Sequence, residues 1–252
     1  MSGLFGSSAA SSVNPTQGDL SKDVAVKELP EDSVSDISFS PAGEFLAVSS
    51  WDNKVRVYEI DGAGNSQGKA MIQHEGPVLG CAWSHDGSKV VGAGADKAAR
   101  MLDLGQAGSP AQQVAAHDKP IRSVKMFQNQ GNAMLVTGAW DSTVRYWDLR
   151  QQQPIGELKC QDRVYSMDIR DQLLVVGTAD RYINVVNLSD PLKFYKTMQS
   201  PLKWQTRVVS CFSDASGFAV GSIEGRCAIQ YVEEKDARYV FFPFLLHICH
   251  FF

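Results

Sequence analysis

This sequence of 252 residues has few features that an enzyme or a metalloprotein requires. It contains no phosphate-binding glycine loop, no G-x-S-x-G, no H-E-x-x-H and no paired Cys/His metal spacing. The nearest approach to a metal site is the group His247, Cys249 and His250, which stands alone in an aromatic tail. We therefore predict no catalytic activity, no cofactor and no bound metal.

An excess of charge and long apolar runs are also lacking. The net charge is −4, which gives no overall attraction to nucleic acid or to an anionic membrane. The apolar stretch at 240–252 is interrupted by proline and histidine and is too short to span a bilayer. No basic region followed by an apolar run opens the sequence, so no signal peptide is predicted. The five cysteines are scattered without C-x-x-C, which indicates a reducing compartment.

The sequence does contain a repeat built around an acidic turn. The segments S-S-W-D-N-K-V-R-V-Y, A-G-A-D-K-A-A-R-M-L, T-G-A-W-D-S-T-V-R-Y-W-D and G-T-A-D-R-Y-I-N-V-V place Asp52, Asp96, Asp141 and Asp180 alike. A fifth copy, G-S-I-E-G-R-C-A-I, has Glu224 in that place. A spacing of 39 to 45 residues, with a strand on each side of the turn, is typical of a WD-repeat β-propeller. The sequence therefore predicts an all-β fold without a long helix.

The repeats divide the chain into three parts. We predict a flexible tail over 1–22 with one G-L-F-G, a propeller over 23–236, and a tail over 237–252 outside the repeat pattern. Within the propeller, the repeats are predicted at about 30–70, 71–114, 115–159, 160–200 and 201–232. In the third repeat, strands are predicted at 121–127, 133–137, 144–147 and 155–158. The alternating segment Val24–Leu29 predicts one further strand before the first repeat.

Only the third repeat has the full set of polar residues for an internal hydrogen-bond network. His117 precedes its first strand, Thr137 lies on the second, Asp141 is in the turn and Trp147 is on the third. We expect Asp141 to accept hydrogen bonds from His117 and from turn amides, and Trp147 to donate to Thr137. Because buried polar groups need partners, such a set would fix the blade. We predict structural roles for these four residues and for the corresponding turn or histidine positions Asp52, Asp96, Asp180 and His74.

A candidate binding surface lies beside the acidic turns. The residues that precede the turn acids are Trp51, Ala95, Trp140, Ala179 and Ile223. Tryptophan at a rim exposes apolar area and is favoured in interface hot spots, although packing between blades would explain both tryptophans as well. The fifth repeat adds the cations Lys203, Arg207 and Arg226, which suit an acidic peptide but also fit solvated strand edges.

These features resemble the WD-repeat mRNA export factors of the nuclear pore (Rae/Gle type). The resemblance rests on the G-L-F-G leader, G-P-V-L-G-C-A-W-S-H-D-G-S-K-V, T-G-A-W-D-S-T-V-R-Y-W-D, S-P-L-K and G-F-A-V-G-S-I-E-G-R. The last segment is the most specific, since it is far from the general WD consensus. The resemblance covers residues 1 to about 236 and implies a seven-bladed propeller. About five blades would be present, so the chain resembles a C-terminally truncated member.

The resemblance implies a function. It implies a non-enzymatic adaptor in mRNA export, in the nucleus, at the nuclear pore and in the cytoplasm. The adaptor would bind the GLEBS hairpin of an FG nucleoporin on the propeller top face. The implied contacts are Arg207, Arg226 and Trp51, with Trp140 and Lys203 as further candidates.

Two alternatives to the export adaptor stay open. The sister family of kinetochore WD proteins would make the chain a scaffold for mitotic spindle or checkpoint proteins. A direct RNA-binding protein would contact mRNA and ribonucleoprotein instead. The G-L-F-G leader and the S-P-L-K segment favour the export adaptor, and membrane insertion is not expected in any of these cases.

Overall fold

The computed structural model describes residues 23–106, 108–129, 131–233 and 241–242. The predicted 1–22 tail, most of the 237–252 tail and the group His247, Cys249 and His250 lie outside these residues. The described part of the chain forms five four-stranded antiparallel sheets, each with its strands in chain order. Among these residues no helix is long and apolar enough to cross a membrane. The prediction of an all-β WD-repeat propeller is confirmed.

Each sheet is a meander whose first strand is the innermost. The strands are, sheet by sheet, β1 Val34–Phe39, β2 Phe45–Ser50, β3 Lys54–Ile60 and β4 Ser66–Gln73; β5 Val78–Trp83, β6 Lys89–Gly94, β7 Ala98–Asp103 and β8 Gln112–Ala116; β9 Ile121–Asn129, β10 Asn132–Ala139, β11 Thr143–Asp148 and β12 Pro154–Lys159; β13 Val164–Arg170, β14 Leu173–Thr178, β15 Tyr182–Asn187 and β16 Lys196–Gln199; β17 Thr206–Cys211, β18 Gly217–Ser222, β19 Cys227–Tyr231 and β20 Phe241–Phe242. All four strands predicted for the third repeat coincide with β9 to β12.

The burial of the strands follows from the stacking of the sheets. The second strands β6 and β14 are buried along nearly their whole length, because each sheet packs against a neighbour on both faces. The outer strands β4 and β12 instead alternate between buried and exposed side chains. Four apolar clusters fill the spaces between successive sheets, and Val55 of the first sheet and Val78 of the second share one of them. The core is therefore divided among the interfaces between blades.

In most of the acidic turns the acid forms a hydrogen bond that stabilises the backbone conformation of the next residue. In four of the five turns the next residue has a positive φ without being glycine: Asn53, Lys97, Ser142 and Arg181. In each case the preceding aspartate accepts a hydrogen bond from the backbone N–H two residues ahead, at 3.0–3.4 Å. An aspartate bonded in this way stabilises a left-handed neighbour. In the fifth turn glutamate replaces aspartate, and Gly225 takes the positive φ without cost.

The prediction of a strand at Val24–Leu29 is wrong. The segment forms no strand in the part of the chain that the structure describes, a bend lies at Lys27 and Glu28, and Glu28 has a positive φ of 54°. It lies against the first sheet instead, where Tyr58 Oη donates to the Glu28 carbonyl at 2.8 Å and Val26 packs on Leu46. Val26 is therefore the apolar contact of this segment with the sheet, whereas Val24 and Leu29 are exposed. In the fifth sheet, β19 pairs with Phe241–Phe242, so the tail predicted at 237–252 supplies backbone to that sheet.

Candidate functional site

The acidic turns and the loops that enter each innermost strand lie at one end of the sheets, which we call the top face. The turns follow β2, β6, β10, β14 and β18, and the entering loops precede β5, β9, β13 and β17. The backbone ties loop to turn in each blade, as in the bonds from Trp140 N–H to the Pro120 carbonyl and from Ile223 N–H to the Gln205 carbonyl. The scaffold thus holds the loop and turn of each blade together.

The third blade contains a closed network of four side chains. His117 bonds through Nδ1 to Asp141 at 2.9 Å and through Nε2 to Thr137 Oγ1 at 2.7 Å. Trp147 Nε1 donates to the same Thr137 hydroxyl at 2.8 Å. Asp141 also accepts from the amide of Asp118 and from Thr143. The structure therefore brings together the four residues singled out in the third repeat.

The electrostatics of Asp141 follow from these bonds. Burial raises the pKa of its carboxyl group, but the hydrogen bonds from His117 and Thr143 and the charge of His117 outweigh burial. The pKa of Asp141 is therefore well below its ordinary value of 3.8. A carboxylate held ionised by neighbouring donors serves as a structural acceptor, not as a general acid.

The other turn acids have different partners. Asp96 bonds to His74 Nδ1 at 3.0 Å, whereas Asp52 forms an ion pair with Arg56 at 2.6 Å. Asp180 accepts a hydrogen bond from Thr178 at 2.6 Å. Each acid sits in its own sheet, so these carboxylates do not form a catalytic pair.

The two rim tryptophans differ in exposure. Trp51 is 51% exposed in the first acidic turn, whereas Trp140 is half-buried in the third. The indole N–H of Trp140 is buried and has no hydrogen-bond partner in the described part of the chain. The structure places both on the top face but in different sheets. Trp51 is therefore the more accessible of the two for a partner.

The three predicted cations gather at the top of the fifth sheet. Lys203 lies in the loop that enters β17, Arg207 on β17 and Arg226 directly after the acidic turn. Arg226 is 3.6 Å from Glu224 and its side chain is 64% exposed. Arg181 of the fourth blade supports the loop, since its Nη1 donates to the Leu202 carbonyl at 3.1 Å. This group combines accessible positive charge with a fixed backbone.

Sequence reasoning missed several exposed or charged residues of this face. Trp204, beside Lys203, is 57% exposed, and the ring of Tyr165 in the fourth blade lies under the guanidinium groups of both Arg163 and Arg207. Tyr165 lies 15 residues before the turn acid Asp180, much as the predicted Arg207 lies 17 residues before Glu224, so its place in the repeat was visible in the sequence. Their mutual contact depends on how adjacent sheets pack, for which one sequence gives no signal.

The thiols are placed as core residues. Cys81 and Cys160 are buried, and burial raises the pKa of Cys160 to about 12. Burial also raises the pKa of Cys211 to about 12, so these groups are not nucleophiles at neutral pH. Within the described ranges no group of three or more His, Cys, Asp or Glu is arranged to hold a metal ion.

Comparison with known proteins places this geometry in context. The family model of the WD domain, G-beta repeat, matches residues 24–59, 66–103 and 108–148. The chain is 60% identical over 240 residues to the mRNA export factor GLE2 of Chaetomium thermophilum, covering 94% of this chain and 66% of that protein. It is 52% identical over 235 residues to the poly(A)+ RNA export protein of Schizosaccharomyces pombe, covering 93% and 66%.

A more distant relative gives the same picture. The mRNA export factor of Danio rerio is 40% identical over 252 residues, covering 97% of this chain and 67% of that protein. The chain thus spans about two thirds of the length of the curated relatives it matches.

Proposed function

This chain belongs to the WD-repeat mRNA export factors of the Rae/Gle type, and we propose that it acts within that family as a non-enzymatic adaptor. The adaptor would work in mRNA export at the nuclear pore, in the nucleus and the cytoplasm, with mRNA-containing particles as its cargo. Its direct partner would be the acidic GLEBS hairpin of an FG nucleoporin. The names of its relatives support the export role, and the chemistry of the top face supports the partner.

The observation that carries the partner proposal is the charge and exposure at the fifth blade. Lys203, Arg207 and Arg226 all lie at the top of the fifth sheet, and Arg226 Nε is 3.6 Å from the carboxylate of Glu224. Guanidinium groups bind carboxylates through paired hydrogen bonds, so this group favours an acidic segment. Trp51, half exposed on the same face, adds an apolar anchor of the kind that dominates interface energies.

The test is calorimetric titration of the 252-residue chain with a synthetic nucleoporin GLEBS peptide. We expect Arg226→Ala to weaken binding by about 2–5 kcal/mol if its contact is desolvated, and Trp51→Ala by about 2 kcal/mol. Arg150→Ala is the matched control, because Arg150 is similarly exposed but lies beyond β11 at the opposite end of the sheets. Unchanged affinity in Arg226→Ala would contradict the assignment of this surface.

The comparator is a GLEBS-like peptide from a checkpoint kinase. Tighter binding to the nucleoporin peptide supports the export adaptor, whereas tighter binding to the kinase peptide supports the checkpoint scaffold. Absence of binding to both peptides by soluble protein contradicts the proposed partner class.

A further inference from the structure

Each innermost strand carries a bulge near its upper end. The register shifts fall at Ser35, Leu79, Arg122, Tyr165 and Arg207, so one residue in each blade stands outside the pairing with the second strand. A bulge turns a side chain out of the regular alternation. We call these five positions the inner rim, since the strands that carry them adjoin one another from sheet to sheet.

Neighbouring inner-rim residues contact one another. Arg122 of the third blade donates through Nη1 to the Leu79 carbonyl of the second blade at 2.9 Å. Arg207 of the fifth blade lies over the ring of Tyr165 of the fourth, with its guanidinium carbon 6.0 Å from the ring centroid. Contacts therefore link the rim positions of the second and third blades and those of the fourth and fifth, and the rim residues of the third and fifth blades are arginines.

A second arginine lies over the same tyrosine ring. The guanidinium carbon of Arg163 is 5.7 Å from the Tyr165 centroid, and its side chain is about half exposed. Two guanidinium groups from neighbouring blades therefore share one aromatic platform. Such cation–π contacts fix the direction of a flexible arginine without neutralising its charge.

Charged groups also lie around this platform. Asp162 is exposed and 3.6 Å from Arg163 Nε, a distance too long for a good hydrogen bond. Burial lowers the pKa of Arg122; the nearby Asp36 raises it and the positive charge of Arg207 lowers it further.

We infer that Arg163, held on the ring of Tyr165 beside Arg207, adds a second guanidinium group to the Arg207 contact, so that the two arginines form a clamp for one carboxylate side chain of the partner segment. The inference rests on the proposed function, because it takes the partner to be an acidic peptide, and it extends the binding surface from the fifth blade to the fourth. Arg163 and Arg207 would contact the carboxylate, and Tyr165 would be the positioning residue.

The experiment is a double-mutant cycle on the full chain with the nucleoporin GLEBS peptide. Arg163→Ala is combined with peptides in which one glutamate at a time is replaced by glutamine. We expect Arg163→Ala to weaken binding about tenfold. One of the peptides should bind the unmutated chain about tenfold more weakly, yet show no further loss on Arg163→Ala.

The role of Tyr165 is tested by keeping or removing its ring. Tyr165→Phe retains the platform and should bind the peptide within about twofold of the unmutated chain, whereas Tyr165→Leu should lose about as much as Arg163→Ala. Arg170→Ala is the matched control, because this substitution removes the same charge from the same strand β13 but at its lower end. Circular dichroism verifies that each variant is folded.

The outcomes separate the clamp from the proposed function. Peptide binding that depends on Arg226 but not on Arg163 or any single glutamate would overturn the clamp and leave the adaptor proposal standing. A single-stranded RNA oligonucleotide whose binding depends on Arg163, with peptide binding unaffected, would likewise overturn it. Failure of the unmutated, folded chain to bind the peptide would contradict the proposed function and the clamp together.

Discussion

The second and third blades begin from the same histidine and aspartate but end with different networks. In the third blade, His117 bonds to both Asp141 and Thr137, and Trp147 completes the set. In the second, His74 bonds to Asp96, but its Nε2 is buried without a hydrogen-bond partner among the described residues. A shared motif therefore does not guarantee a shared network.

One residue accounts for most of this difference. Thr137 pairs with Arg145 across its sheet, and Gly92 pairs with Arg100 in the corresponding place of the second sheet. Glycine offers no hydroxyl to the histidine. The space that a side chain would need at Gly92 is taken by Val55 of the first blade, which a Cβ would overlap. The second blade has thus exchanged a polar bond within the blade for apolar contact between blades.

The arginines that pair with these positions also differ, since the arginine of the third blade forms more and shorter hydrogen bonds. Arg145 donates to Glu157, Asp118 and the Ala116 carbonyl at 2.8–3.1 Å. The corresponding Arg100 has its Nε 3.6 Å from Asp96 and its nearest hydrogen bond to Glu75 at 3.5 Å. The third blade is therefore bonded more tightly around its turn than the second.

The largest effect is expected when the third blade loses its central hydroxyl. Thr137→Val keeps the shape of the side chain but leaves both His117 Nε2 and Trp147 Nε1 buried without a partner. We expect the free energy of unfolding to fall by about 2–4 kcal/mol, measured by urea unfolding, because each unpaired buried group costs about 1–3 kcal/mol. Thr197→Val is a control on the partly buried outer strand β16, and an equal loss there would contradict a special role for the network.

Part of this comparison could be predicted from the sequence. The order of His117, Thr137, Asp141 and Trp147 along the third repeat indicated which atoms would meet, because the four-strand meander fixes their relative positions. The sequence also indicated that the second blade has only part of this hydrogen-bond network. The reason that no side chain fits at Gly92 could not be predicted, since it depends on Val55, which comes from another blade.

The candidate site likewise has one part that could be predicted from the sequence and one part that could not. Trp51 and Arg226 flank acids whose turn geometry is local, so the sequence placed them on one end of their sheets. The shared contact of Arg163 and Arg207 with Tyr165 joins two blades and depends on how the sheets pack. Contacts within a repeat follow from the repeat pattern, whereas contacts between repeats require the structure.

A smaller effect, whose sign depends on the residue at position 55, is expected when the second blade is given a hydroxyl. Gly92→Ser alone is expected to destabilise the protein by about 1–3 kcal/mol, because the added atoms overlap Val55. In a Val55→Ala background the same substitution should stabilise by about 1–2 kcal/mol, since the hydroxyl can reach His74 Nε2. Thermal and urea unfolding of the single and double variants measure the reversal.

Gly92→Ala in the Val55→Ala background separates the hydroxyl from the added carbon. If serine and alanine stabilise this background equally, the gain comes from filled space or strand propensity. The lack of a partner for His74 would then not explain the difference between the blades.

The smallest effect is expected when the free energy of unfolding is measured at decreasing pH. The folded-state pKa of Asp141 is depressed below 3.8, so its contribution to stability is fully present above that value and is lost as pH falls toward the folded pKa. Between about pH 6 and about pH 3 we expect a loss of at most about 1 kcal/mol, since pH 3 lies less than one unit below the ordinary pKa of 3.8. Urea unfolding at a series of pH values should show that the free energy of unfolding depends less on pH in Asp141→Asn than in the unmutated chain.

Asp96→Asn should reduce the pH dependence less than Asp141→Asn does. His74 and turn amides are the main donors to Asp96, whereas Asp141 also accepts a hydrogen bond from the Thr143 side chain. An equal reduction by both variants would mean that the closed network adds nothing to the acid sensitivity of the third blade beyond the His–Asp pair that the two blades share.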